Sequence, residues 1–332
     1  TQPAIHSKEG VSFIKGATAD LLHTFHPVAN VTVEAKGEQI TEMVDLHHAG
    51  AVAFSDGKPN RYDTAILKTA LLYLQSIDGL LITYAQDAGL RKGGQMNEGQ
   101  VSTLLGMRGF PEIAEEMGIS RDLSLLQYTG GKIHFSTLST ARAIQLVREA
   151  KEQGLAVTCD VAAHQVAFTD AALNSFNTHF KVDPPFRNTR DIEAIWEGLA
   201  DGTIDAVVSA HTPQNMESKE LEFDLADFGA IGLETAFASL RTHQPQSVSL
   251  DKIIHSLTNA PRKVLGLPEV HVGEGASAKL TFFNPDEEWI FERRHIASKA
   301  KNSPFIGKTL KGRVLGVVNG AMQQLDPRLK QE

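Results

Sequence analysis

The run Asp45-Leu46-His47-His48 places a carboxylate and two imidazoles within four residues, the donor types that hold a divalent transition metal. Adjacent side chains on a helix point in different directions, however, so this pair is poorly placed to close on one ion. The histidines also continue the apolar spacing of Ile40, Met43 and Val44 into a helix ahead of the Ala51 strand, which reads them as two helix-surface histidines. Asp56 stands at the end of that strand, where a carboxylate either grips a cation or substrate group or serves a turn, and the residues alone leave both open. Asn97 either enters a pocket or caps a helix over Glu98 to Leu105, and capping is the expectation. Cys159, alone in an apolar strand, reads as inert core. Gly93-Gly94 and Gly130-Gly131 lack the flanking pattern of a phosphate cradle, and no serine-nucleophile elbow is present.

Such residues need a scaffold, and its period is visible. Short apolar, β-rich runs alternate with amphipathic helical stretches up to about Ala210, the signature of βαβ units around a parallel sheet. Six core strands are predicted: Leu21 to His26, Ala51 to Ser55, Leu80 to Tyr84, Lys132 to Ser136, Ala156 to Val161 and Ala206 to Ser209. Helical patterns lie between them at Ile40 to Ala49, Tyr62 to Ser76 and Thr140 to Gln153, the last closed by Gly154. Polar residues gather after each strand, where a (β/α)8 barrel builds its active site. Six strands do not close such a barrel. The missing two are expected before Thr1, because Thr1 to Ile5 read as the tail of a loop feeding a helix.

Beyond Asn259 to Gly266 the composition shifts to short strands and turns at Gly273 to Gly275, Leu280 to Asn284 and Gly312 to Asn319. The organisation predicted is a barrel domain over 1–266 and a small β-sandwich-like appendage over 267–332. At 332 residues and 42% hydrophobic, the chain can bury a core of that size. A formal charge of -8 argues against a nucleic-acid or anionic-membrane partner and leaves a small metabolite or another protein. One cysteine excludes an intramolecular disulfide and a thiolate-rich zinc site, which points to a reducing, cytoplasmic setting. No apolar run of about 18 residues and no signal-peptide pattern is seen.

Several segments, in order, are more specific. They are Gly50 to Asp56, Met96-Asn97-Glu98-Gly99, Asp201-Gly202-Thr203-Ile204-Asp205-Ala206, Lys219-Glu220-Leu221, Phe228-Gly229 and Gly232-Leu233-Glu234-Thr235. Asp286 to Trp289, Ser298 to Phe305 and Lys311 to Val314 complete the series. Together they resemble the dihydroorotase family of metal-dependent cyclic amidohydrolases, bacterial type I, across nearly the whole chain. The resemblance implies a TIM-type barrel of the amidohydrolase superfamily and a zinc-dependent opening or closing of a cyclic amide. In that chemistry the metal generates hydroxide and an aspartate shuttles the proton.

The same resemblance locates substitutions. The family's first ligand pair, His-x-His, would precede Thr1. Tyr84 and Thr137 stand where histidines are expected, although His134 matches a histidine the family carries. Ala210 replaces the catalytic aspartate within Ser209-Ala210-His211-Thr212-Pro213-Gln214, where the family reads Asp-His-Ala-Pro-His. Gln214 replaces a substrate-contacting histidine and Asp183 an asparagine, while Asp56 survives before Gly57 rather than a second aspartate. His211 falls at a non-ligand histidine, so a packed or hydrogen-bonded role is expected. Phe228-Gly229 would offer backbone amides to a ring ligand if its loop keeps the family shape, and is loop packing otherwise.

The implied substrate pocket is Asp56, Asn97, Asp183, His211, Gln214, Phe228 and Gly229. The implied ligand positions Asp56, Tyr84, Thr137 and Ala210 do not suit the zinc of active members, so no metal cofactor and no catalytic residue are expected. The leading expectation is a non-catalytic relative. It would serve as a scaffold for a pyrimidine-pathway protein such as aspartate carbamoyltransferase, as a homo-oligomer, or as a binder of a small cyclic ureide or amide. The alternative is an active zinc dihydroorotase that draws its metal through the pair before Thr1.

Overall fold

The computed structural model describes residues 3–58 and 63–329. The main sheet contains β1 (Val28–Ala29), β2 (Ala53–Phe54), β3 (Leu81–Thr83), β6 (Ile133–Phe135), β7 (Val157–Ala162) and β8 (Ala206–Val208), all parallel and paired in that order. Between β3 and β6 a separate parallel pair forms from β4 (Met96–Asn97) and β5 (Gly109–Phe110).

Alternation along the strands explains the curl of the main sheet. Ile82 and Tyr84, His134 and Ser136, and Ala206 and Val208 face one shared cavity, as does Val28 at the other edge. Their neighbours Leu81, Ile133, Phe135, Val157, Cys159, Val161 and Val207 face outward into the principal apolar core, packed against the surrounding helices. Residues from five of the strands, with Ser55 and Asp56 just beyond β2, can line one cavity only if the sheet wraps around it. The architecture is α/β, of the TIM-barrel type, with six parallel strands among the described residues.

Five of the six predicted strands coincide with observed ones. The first does not: Leu21 to His26 is irregular, and the strand lies at Val28–Ala29. Leu21 and Phe25 are exposed while Ala29 and Val31 are buried, so the apolar run that looked like a strand is a surface loop leading into one. The helices start where capping chemistry permits. Ser7 accepts from the Gly10 amide ahead of Lys8–Ala17, and Thr140 accepts from Ala143 ahead of Ala141–Glu152. Past that second helix Gly154 takes the left-handed conformation, φ 79°. The helix predicted from Tyr62 runs Thr64–Leu74, capped by Asp63; Tyr62 itself, like Thr1 and Gln2, lies outside the described residues.

After the helix Asn259–Val264, residues 267–278 are irregular, and an antiparallel meander follows: β9 (Lys279–Ile290), β10 (Thr309–Asn319) and β11 (Met322–Leu325). The appendage is thus one three-stranded sheet among the described residues rather than two facing sheets. It is fastened to the barrel layer by the helix Ala236–His243. Phe237 meets Phe283 edge-on at 4.9 Å, and Arg241 donates to the Pro285 carbonyl. No described helix is long and apolar enough to cross a membrane.

Candidate functional site

The strand ends β2, β3, β6 and β7 converge on a cavity of about 580 Å³ lined by Asp56, Lys58, Tyr84, His134, Ser136 and Asp160 among others. Its polar groups are largely occupied with one another. The Asp56 carboxylate accepts from the Thr32 amide at 3.0 Å, the Thr32 hydroxyl at 2.5 Å and Asn30 Nδ2 at 3.4 Å. Asp56 thus anchors the loop after β1 by hydrogen bonds while it also lines the cavity.

Asp160, at the inner face of β7, is the hub. It accepts from the Thr137 amide at 2.7 Å and Ser136 Oγ at 3.0 Å, and it pairs with His134 Nε2 at 2.8 Å. The other imidazole nitrogen, His134 Nδ1, lies 2.8 Å from Thr158 Oγ1. His134 and Asp160 are almost fully buried. Neither imidazole nitrogen is free to ligate, and the carboxylate already has three partners.

A cation is built into this cavity. Lys58 Nζ donates to the Asp183 carbonyl at 2.5 Å and lies 4.8 Å from the centre of the Tyr84 ring. Burial pushes the Lys58 ammonium below the usual lysine range, while Asp183 and Asp160 act in the opposite sense. The Tyr84 phenol is held above its usual range by burial and then by the Asp160 charge. The carboxylate of Asp183 is itself paired with Arg91 at 2.7 Å.

Thr137 and Ala210, at the ends of β6 and β8, both have left-handed backbones, φ 57° and 45°. Such conformations cost about 1–3 kcal/mol for residues other than glycine and concentrate where a strand end presents a functional side chain. Here the strained backbone remains, but it presents a hydroxyl and a methyl.

The remaining candidate residues sit apart from that cavity. Asn97 is not a helix cap: the helix is Gln100–Leu105 and Gly99 caps it. Asn97 lies in β4 because Met96 and Asn97 pair with Gly109 and Phe110, and its buried amide accepts from Arg187 Nη1 at 2.8 Å and donates to Asp170 at 3.0 Å. His211 Nδ1 accepts from the Gly232 and Leu233 amides at 3.2 and 3.4 Å, the hydrogen-bonded role expected of it, and burial lowers its basicity.

Gln214 Nε2 donates to the Phe228 carbonyl at 2.8 Å, and the Gly229 amide donates to the Lys181 carbonyl at 2.9 Å. An added Cβ at Gly229 would stand 2.6 Å from Asn302 Nδ2 and 3.0 Å from the Thr212 carbonyl, so the loop closes only over glycine. His47 and His48 are exposed on the helix Met43–Ala49, and Cys159 is a buried thiol that burial drives to higher pKa.

Lys58, Asp160 and Ser136 went unnoticed in the sequence. Asp160 had a signal, an acid inside the apolar strand Val157–Ala162, whereas nothing around Lys58 distinguishes it from a surface lysine. Among the described residues, no group of three or more histidine, cysteine, aspartate or glutamate side chains is arranged to hold a metal ion. Zinc requires three or four such donors, and those nearest the cavity, Asp56, His134 and Asp160, are committed to hydrogen bonds. The residues present do not fit a catalytic zinc.

Residues 1–143 match the family described as dihydro-orotase-like. A dihydroorotase from Syntrophus aciditrophicus is 40% identical over 298 residues, covering 89% of this chain and 70% of that protein. One from Pelotomaculum thermopropionicum is 38% identical over 331 residues, covering 99% of this chain and 78% of that protein. In structure, the L-hydantoinase (dihydropyrimidinase) from Arthrobacter aurescens matches with a TM-score of 0.85 over 98% of this chain and 75% of its own, at 22% identity. The dihydropyrimidinase from Brevibacillus agri gives 0.79 over 97% and 74%, at 15% identity. These structural likenesses establish the barrel fold. The sequence relationships establish more: the chain belongs to the dihydroorotase family.

Proposed function

We propose that this chain is a dihydroorotase homologue of pyrimidine biosynthesis that does not hydrolyse its ligand, and that its barrel serves as a ligand binder or a scaffold. One observation carries the reading. The carboxylates and imidazole at the strand ends are bonded to their neighbours, and the cavity they line holds the Lys58 ammonium, whereas hydrolysis would need a metal and a proton carrier. Tyr84, Thr137 and Ala210 supply no carboxylate or imidazole. The cavity is nonetheless large enough for a small ring, and its polar edge suits a cyclic ureide or amide.

Thermal unfolding with and without dihydroorotate, followed by product analysis, tests the binding role. The proposal expects saturable stabilisation with no carbamoyl aspartate formed. Turnover would overturn it. The scaffold role is tested by mixing the protein with aspartate carbamoyltransferase and following co-migration, and self-association is read in the same run. The second reading, an active zinc dihydroorotase, is favoured by the names of the curated relatives. It requires donors that the described residues do not provide.

A further inference from the structure

A second cavity, of about 610 Å³, lies between the segment Pro213 to Glu220 and the segment Arg293 to Asn302, and it shares no residue with the barrel cavity. In a chain of net charge -8, its wall carries His179, Lys219, Arg293, Lys299 and Lys301 against one carboxylate, Glu220. Among the described residues none of these five cations forms a salt bridge, although most arginines elsewhere in the chain do.

The ammonium groups of buried Lys219 and half-buried Lys301 are held by backbone carbonyls alone. Lys219 Nζ donates to Asp227 O at 2.7 Å, and Lys301 Nζ donates to Ile296 O at 2.7 Å and Ser298 O at 2.9 Å. His179 Nδ1 is buried without a partner. Its basicity is depressed first by burial and then by Lys219 and Arg293, with Glu220 acting in the opposite sense, and all of these residues line the cavity.

The walls are rigidly tied. Asn302 donates to the Thr212 carbonyl at 3.1 Å and accepts from the Gln214 amide at 3.1 Å, and Thr212 pairs with Ala230 to close the loop. Like charges that outnumber their counter-charges repel one another, and a bound anion relieves that repulsion. A monocarboxylate would leave the wall strongly positive. A phosphate or diphosphate brings two or more charges and acceptor oxygens that suit the guanidinium of Arg293 and the ammonium of Lys299.

We infer that this cavity is a binding site for a phosphate-bearing small molecule, separate from the barrel cavity and independent of whether that cavity is catalytic.

The probe is pyrophosphate, titrated at constant ionic strength made up with sodium chloride and followed by thermal unfolding and by equilibrium dialysis. The inference expects saturable stabilisation, about one pyrophosphate per chain, and binding at least about tenfold weaker in Arg293→Glu/Lys299→Glu, because each charge-assisted bond removed is worth about tenfold. Both substituted side chains are exposed, so the variant should keep the parent's unfolding midpoint without the probe. No saturable binding, or binding undiminished in the double variant, overturns the site. Citrate binding as tightly as pyrophosphate would overturn its assignment to phosphate.

Discussion

Replacing Asp160 by asparagine keeps the shape of the side chain and removes the charge on which the cavity wall converges. The carboxylate accepts from the Thr137 amide at 2.7 Å and Ser136 Oγ at 3.0 Å, and pairs with His134 at 2.8 Å, all among residues that are nearly fully buried. Asparagine offers one oxygen in place of two, and turns an NH2 toward groups that were donating. One charge-assisted bond is lost, about 1.5–3 kcal/mol, and one buried donor is left unsatisfied, about 1–3 kcal/mol. The expected destabilisation is about 3–5 kcal/mol, the range found when one partner of a buried ionic network is removed.

Urea unfolding at fixed pH, with m compared to confirm that the same surface unfolds, measures the difference. The experiment also separates this network from a metal site. If Asp160 stabilised the fold through a bound ion, chelator treatment of the parent would cost as much as the substitution and would leave Asp160→Asn unchanged. A variant within about 0.5 kcal/mol of the parent, or a parent destabilised by chelator to the same degree, would refute the reasoning.

Restoring the family's donors should restore affinity for zinc: Tyr84→His/Thr137→His/Ala210→Asp is expected to take up zinc in equilibrium dialysis where the parent does not, because Thr137 and Ala210 already hold left-handed backbones at the strand ends. Lys219, pushed down to about 8 by burial and by Lys181, sheds its proton in the folded chain first, so the unfolded chain binds more protons between about pH 8 and 10.4 and stability rises with pH there. Denaturation of Lys219→Met across that window should show a flatter profile than the parent. Cys159 is fully buried, so it should resist a thiol-reactive disulfide in the native protein and react on addition of denaturant, as followed by absorbance.

The barrel was legible because its strands are buried on both faces and bounded by turn residues. Ile133–Phe135 and Val157–Ala162 could hardly be read otherwise. Leu21 to His26 misled because an apolar run carries no information about whether a partner strand is alongside; the pairing with Ala53 and Phe54 falls at Val28 and Ala29 instead. Asn97 misled in another way. An asparagine before a helix is a good cap, but Gly99 stands nearer, and the sequence holds no sign that Arg187, ninety residues on, claims the amide.

Within the site, the resemblance located Tyr84, Thr137 and Ala210, which are departures from a known pattern. It did not disclose Lys58, because a lysine two residues beyond Asp56 becomes an internal cation only through the loop at Asp183 that folds over it.

The central claim is that this dihydroorotase fold works without metal. It is tested most directly by metal analysis of the purified protein after incubation with zinc and desalting, with dihydroorotate hydrolysis assayed on the same sample. The account predicts zinc far below one ion per chain and no hydrolysis above the buffer rate. About one or two tightly held zinc ions per chain, together with turnover that a chelator abolishes, would contradict it.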